Sequence, residues 1–154
     1  MSRILFICTG NTCRSPMAEA LLNDRSNGKI DARSAGLFAT PGYPANEHTI
    51  QTLKEEGISI DHASKPLTTE LVDWANVILT MTQQHKQSIL IQYPELADRV
   101  FTFKEFVKGE SVVGADDFEE SYDVTDPYGG HADIYRQTFK ELDELITKLL
   151  KKLS

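Results

Sequence analysis

The run Arg3-Ile4-Leu5-Phe6-Ile7 is short, apolar and β-branched, and it stops abruptly at Cys8-Thr9-Gly10-Asn11. Such a run reads as a buried strand. Pro16 stands where a helix can begin, because a first-turn position tolerates a missing N–H. Met17, Ala18, Ala20, Leu21 and Leu22 continue that helix, and Asn27-Gly28 stops it. The alternation repeats down the chain. Ile30 to Ser34 predicts a second strand, and Pro41-Gly42-Tyr43-Pro44 a loop. Asn46 to Glu56 predicts a helix with Ile50 and Leu53 inward and Gly57 as its stop. Leu67 to Trp74 reads as a short helix and Val77 to Met81 as the strongest strand. Thr82 is placed to cap a helix running to about Gln92. Val100 to Phe103 is a fourth strand. The last helix follows Gly129-Gly130, with a stripe of Ile134, Tyr135, Thr138, Leu142, Leu145, Leu149 and Leu153. Strands alternating with helices predict an α/β three-layer sandwich around a central parallel four-stranded sheet. In such sheets ligands bind at the carboxyl ends of the strands. The loop after the first strand is therefore the expected place for a site.

A chain of 154 residues without repeat, linker or low-complexity tract predicts one domain over 1–154. A net charge of -7 argues against nucleic acid or an anionic membrane surface as the main partner. It leaves room for one local positive pocket. No stretch reaches the roughly 20 apolar residues of a membrane span. The apolar run at the N-terminus is too short for a secretory leader. The 2 cysteines are too few and too close for a secreted disulfide framework, so a cytoplasmic location is expected.

The loop Cys8-Thr9-Gly10-Asn11-Thr12-Cys13-Arg14-Ser15 carries the chemistry. Between a strand and a helix, its backbone N–H groups can form a nest for phosphate at the positive end of the helix dipole. Gly10 permits close approach of the backbone and can take a positive φ. Asn11 tolerates left-handed geometry, and its side chain can brace the loop. Arg14 offers a planar fork for two phosphoryl oxygens. Ser15 can donate to the sulfur of Cys8. The field that holds a phosphate also favours the thiolate, the nucleophilic form of Cys8. Attack on phosphorus would give a phosphocysteine, which water then cleaves. Cys8 alone would read as a buried strand-end cysteine. Cys, Gly, Asn, Arg, Ser and Pro together, between a strand and a helix, do not.

Such a reaction needs a proton donor for the leaving group. Asp126, in Asp126-Pro127-Tyr128-Gly129-Gly130, is the candidate. Proline fixes an extended or turn geometry at Asp126, and two glycines let the loop fold over a pocket. The acid that protonates the departing atom can then act as base on water.

These two motifs, one near each end, resemble the low-molecular-weight protein tyrosine phosphatase family over essentially the whole chain. The resemblance implies Cys8 as nucleophile, Arg14 as phosphate binder, Ser15 as thiolate partner and Asp126 as general acid. It also implies no metal, no cofactor and a monomer. Within the family the chain is most similar to the bacterial protein arginine phosphatases. The loop, Arg33-Ser34-Ala35-Gly36-Leu37-Phe38-Ala39 and Met81-Thr82-Gln83-Gln84-His85-Lys86 carry that likeness. Tyrosine-directed members typically have isoleucine where Thr12 stands. The polar, cationic guanidinium of phosphoarginine would prefer the hydroxyl of Thr12 and the carboxylate of Asp126 to an aliphatic wall. Phe38 and Tyr128 are expected to line the pocket. The expected substrate-contacting set is thus Thr9, Gly10, Asn11, Thr12, Cys13, Arg14, Ser15, Phe38 and Tyr128. Phosphorylated proteins are the expected partners, with free phosphate as product or inhibitor.

Cys13 has two readings: a reversible disulfide with Cys8, which the family resemblance supports, or a small loop-packing side chain that never pairs. The segment Gly114 to Asp123 is acidic; it reads as a solvated loop or as a rim favouring cationic substrates. The four histidines, His48, His62, His85 and His131, show no ligand spacing and read as surface or core residues. Trp74 is expected to pack a helix on the sheet. The competing functions are a tyrosine phosphatase on the same scaffold, an arsenate reductase and an inactive phosphoprotein-binding module. The reductase would want further redox cysteines, and the module would not need intact Cys8, Arg14 and Asp126.

Overall fold

A computed structural model of the chain describes residues 2–108 and 122–153. Four parallel strands form one sheet in the order β2-β1-β3-β4. They are β1 (Ser2–Cys8), β2 (Ile30–Gly36), β3 (Val77–Thr80) and β4 (Val100–Thr102). β1 lies in the middle, pairing Ser2 to Ile30 through Cys8 to Gly36 on one side and Ile4 to Val77 through Ile7 to Thr80 on the other. Ile4, Leu5, Phe6 and Ile7 are all fully buried, as a strand covered on both faces must be.

The alternation along β1 divides the core. Ile4 and Phe6 face one cluster, which includes Met17, Leu21, Phe103, Tyr135, Leu142, Ile146 and Leu149. Leu5 and Ile7 face the other, with Val72, Ile78, Ile89, Leu96 and Val100. Helices α1 (Arg14–Arg25), α2 (Glu47–Glu55), α5 (Phe103–Lys108) and α6 (Ala132–Leu153) accordingly cover the first face. Helices α3 (Thr69–Trp74) and α4 (Gln83–Gln92) cover the second. The result is the three-layer α/β sandwich that the alternation predicts. The stripe of α6 holds: Tyr135, Thr138, Leu142, Leu145 and Leu149 are buried, joined by Phe139 and Ile146. Trp74 is packed against the second cluster and carries the Arg33 guanidinium 4.3 Å above its ring.

Several boundaries and one orientation differ from the sequence reading. β2 extends two residues past Ser34, to Gly36, because the ladder with β1 continues to Cys8. α1 begins at Arg14, ahead of Pro16; the whole first turn lacks intrahelical partners for its N–H groups, so proline is tolerated there too. In α2 the inward residues are Thr49, Thr52 and Leu53, and Ile50 is exposed. Asn46 caps that helix, accepting from His48 N, and the helix packs on α6 and α1 through a face one residue away from the expected one. β4 ends at Thr102, and Phe103 opens a helix the sequence reading did not contain. The reason is a reciprocal cap: Glu105 N donates to Thr102 Oγ1 at 3.1 Å, and Thr102 N donates to Glu105 Oε2 at 2.9 Å. Thr82 does cap α4, accepting from His85 N.

Candidate active site

β1 delivers Cys8 to the carboxyl edge of the sheet, and α1 starts six residues later at Arg14. The loop between them is tied down by its carbonyls. Leu37 N donates to Cys8 O, Phe38 N to Thr9 O and Asn46 N to Thr12 O, at 2.8 to 3.0 Å. His62 Nε2 meets Asn11 O at 2.7 Å. Carbonyls held on the outside suit a nest whose amides serve the inside. The left-handed residue is Asn11, with φ 58°, and not Gly10. Space for the loop comes instead from Gly36 at the end of β2. A Cβ there would stand 2.6 Å from Thr9 O and 2.9 Å from Asn11 N.

The fully buried Asn11 side chain braces the site. Its Nδ2 donates to Ser15 Oγ and to Ser34 Oγ, both at 2.9 Å, and its Oδ1 accepts from Lys65 N. Ser34 Oγ in turn donates to Glu19 Oε1 at 2.8 Å. Both hydroxyl oxygens are thus used as acceptors by Asn11. The Ser15 proton stays free to donate, and Cys8 Sγ lies 2.8 Å away. Burial pushes the Glu19 carboxyl up, opposed by the bond from Ser34.

Arg14 is buried, with Nη1 donating to Val124 O at 3.1 Å and Nη2 at 3.5 Å from Asp126 Oδ2. Asp126 is half-exposed, and its Oδ1 accepts from Tyr128 N, fixing the turn that the Asp-Pro pair predicts. Cys8, Thr9, Gly10, Thr12, Cys13, Arg14, Asp126 and Tyr128 line one cavity of about 220 Å³. The two motifs from opposite ends of the sequence therefore meet. Phe38 does not line this cavity: it is an exposed side chain whose backbone is bonded to the loop. Most of the acidic segment, residues 114–121, lies outside the described residues.

Cys8 and Cys13 are both free and buried thiols. Cys13 Sγ is 3.5 Å from the hydroxyl of the buried Tyr135. Burial pushes the Cys13 thiol up. Burial also raises the Tyr135 phenol, helped by its bond to Cys13.

Two histidines taken for ordinary surface or core residues belong to the site. His62 supports Asn11, and His85 Nε2 lies 2.9 Å from Thr9 Oγ1. His85 is lowered to about 4, first by burial and then by the Arg14 guanidinium. The available signal was position. In a parallel sheet each helix start after a strand lies at the same edge as the site, and His85 is in the first turn after β3. Among the described residues no group of three or more His, Cys, Asp or Glu is arranged to hold a metal ion. No helix among them is long and apolar enough to cross a membrane.

The chain matches the model of the low molecular weight phosphotyrosine protein phosphatases over residues 3–154. It is 47% identical to a protein-arginine-phosphatase of Bacillus subtilis, covering 97% of this chain and 95% of that one. It is 37% identical to the low molecular weight protein-tyrosine-phosphatase PtpB of Staphylococcus haemolyticus, covering 96% of each. The YwlE arginine phosphatase structure from Geobacillus stearothermophilus superposes with a TM-score of 0.90 at 44% identity, covering 99% of this chain and 93% of that one. By sequence and by fold, the chain belongs to the low molecular weight phosphotyrosine protein phosphatase family.

Proposed function

We propose that this protein is a cysteine-dependent protein phosphatase that hydrolyses phosphoarginine. The observation that carries the reading is the cavity itself: the Cys8 sulfur with its serine partner, an arginine and a carboxylic acid, with the hydroxyl-bearing Thr12 on the wall. The relatives named as arginine phosphatases support the choice of substrate. So does the structure of a YwlE mutant carrying a phosphorylated active site serine, at 46% identity.

In this reading the phosphoryl group sits on the loop amides and the Arg14 guanidinium. The arriving dianion takes over Arg14 and releases Asp126 from it. The Cys8 thiolate attacks phosphorus in line, and the P–N bond to the guanidinium breaks as Asp126 hands its proton to the leaving nitrogen. The arginine side chain departs as its guanidinium cation, leaving phosphocysteine. Water then attacks, Asp126 takes its proton, and the S–P bond breaks to give inorganic phosphate and the thiolate, held by the Ser15 hydroxyl. Arg14 stabilises the equatorial oxygens in both steps. Gly10, Asn11, Thr12 and Cys13 contribute the cradle, and Tyr128 the rim.

A second reading, phosphotyrosine hydrolysis, is favoured by the exposed ring of Tyr128 at the mouth and by the tyrosine-phosphatase relatives. We read residues 1–154 as one catalytic domain acting as a monomer on phosphorylated proteins, with phosphate as product and inhibitor. Two free, closely spaced thiols suit a cytoplasmic location. The test is kcat/KM on matched phosphoarginine and phosphotyrosine peptides, with Cys8→Ser as the blank. Preference for phosphoarginine, eroded by Thr12→Ile, supports the reading. Equal or greater activity on phosphotyrosine sinks it and leaves the cysteine mechanism standing.

A further inference from the structure

Thr9 follows the nucleophile directly, lines the cavity, and is exposed to it. Its hydroxyl lies 2.9 Å from Nε2 of His85, a residue only 7% exposed. The other ring nitrogen, Nδ1, is buried with no hydrogen-bond partner among the described residues. Among the described residues the Thr9 contact is thus the one polar tether on the ring, and the ring holds the Thr9 hydroxyl at the cavity wall. The Thr82 cap on His85 N anchors the backbone that carries the ring.

The geometry points to Thr9, held by His85, as a specificity-determining residue for a guanidinium leaving group. This rests on the arginine-phosphatase reading above. Whichever ring nitrogen carries the proton, the Thr9 oxygen keeps an unused lone pair. If Nε2–H donates, one lone pair remains; if Thr9 donates, two remain. A guanidinium offers N–H donors and no acceptor, so it can use that lone pair. An aryl leaving group has no N–H to give. The imidazole is also neutral across the physiological range, because burial and the Arg14 guanidinium oppose its protonation. It therefore positions a polar group without adding a cation that would repel the arginine side chain. Thr9 touches substrate in this proposal; His85 is a positioning residue that acts through it.

The quantity to measure is the ratio of kcat/KM on phosphoarginine to kcat/KM on phosphotyrosine peptides of the same sequence. Thr9→Val is isosteric and removes only the hydroxyl. It should lower the ratio roughly tenfold, the scale of one hydrogen bond to a charged group. His85→Leu should lower it similarly, and the double variant should fall no further than either single one. Thr9→Ser and His85→Gln, which retain a hydroxyl and a side-chain polar partner, should stay within about twofold of the wild type. The proposal is overturned if Thr9→Val lowers both substrates in proportion, or if His85→Gln behaves like His85→Leu. A wild-type protein without activity on phosphoarginine overturns both this proposal and the reading it rests on. Wild-type activity on phosphoarginine with an unchanged ratio in Thr9→Val overturns this proposal alone.

Discussion

The hydroxyl of Ser15 stands 2.8 Å from the sulfur of Cys8, and Asn11 has already claimed its oxygen as an acceptor. A thiolate has no S–H to give, so in that form serine donates and sulfur accepts. A thiolate accepts such a bond better than a phosphocysteine sulfur does, so the hydroxyl should matter most when the thiolate leaves phosphorus. Ser15→Ala is expected to slow hydrolysis of the phosphocysteine more than its formation. Rapid-quench kinetics should show the intermediate accumulating, with turnover down by roughly 10-fold to 100-fold, the scale of one charge-assisted bond. An unchanged steady-state level of intermediate would remove Ser15 from that step.

Gly36 tests whether β2 shapes the loop. The backbone there adopts no left-handed conformation, so the requirement for glycine is spatial: a Cβ would meet Thr9 O at 2.6 Å and Asn11 N at 2.9 Å. Both obstacles are backbone atoms of the phosphate loop. Gly36→Ala is expected to cost about 1–3 kcal/mol in stability, as overpacking does. Turnover should fall more than a stability loss of that size explains at a temperature where the variant is folded. Urea denaturation alongside kcat/KM checks this. A stable variant with full activity would mean that the loop can shift without consequence.

The parts legible in the sequence are those governed by local chemistry. Ile4 to Ile7 shows its burial through its apolar run, and Cys8 to Ser15 shows its loop through residue types that a phosphate cradle uses together. Asp126 was legible as an acid before a proline, and its meeting with Arg14 followed from the chemistry that needs both. The supports were not legible. Ser34, His62 and His85 reach the loop from three different segments, and each is an ordinary residue in its own stretch. Their role exists only because a parallel sheet gathers strand ends and helix starts at one edge. Ile50 was misplaced for the complementary reason. An apolar residue next to an inward face is sorted by the helices packed against it, α6 and α1, which its neighbours in sequence do not reveal. The helix at Phe103 was legible in principle, since Thr102 and Glu105 have the spacing of a reciprocal cap.

Asp126 is the counter-charge of Arg14 at 3.5 Å, and over half of its side chain is exposed. Its removal should therefore act in two directions. Asp126→Asn frees Arg14 for anions, so inhibition by inorganic phosphate or vanadate is expected to be undiminished or stronger. Turnover should drop about 10²-fold to 10⁴-fold for want of a proton donor. Weakened phosphate inhibition together with normal turnover would show that Asp126 merely organises Arg14.

His85 makes the fold sensitive to acid in a defined window. Its ordinary value is about 6.5, and in the folded chain it is lowered to about 4 by burial and by Arg14, with Asp123 and Asp126 pulling weakly the other way. A lowered value means that the unfolded chain binds the proton first. The stability contributed by the neutral ring is complete above about pH 6.5 and is lost as pH falls towards 4. The loss is on the order of a few kcal/mol, from 1.36 kcal/mol for each unit. His85→Gln cannot take up that proton. Between pH 7 and pH 4 its urea midpoint should fall less steeply than that of the wild type, and the two curves should run parallel below pH 4. Parallel curves across the whole range would mean that His85 becomes charged in place, with Asp123 and Asp126 stabilising it more than Arg14 opposes it.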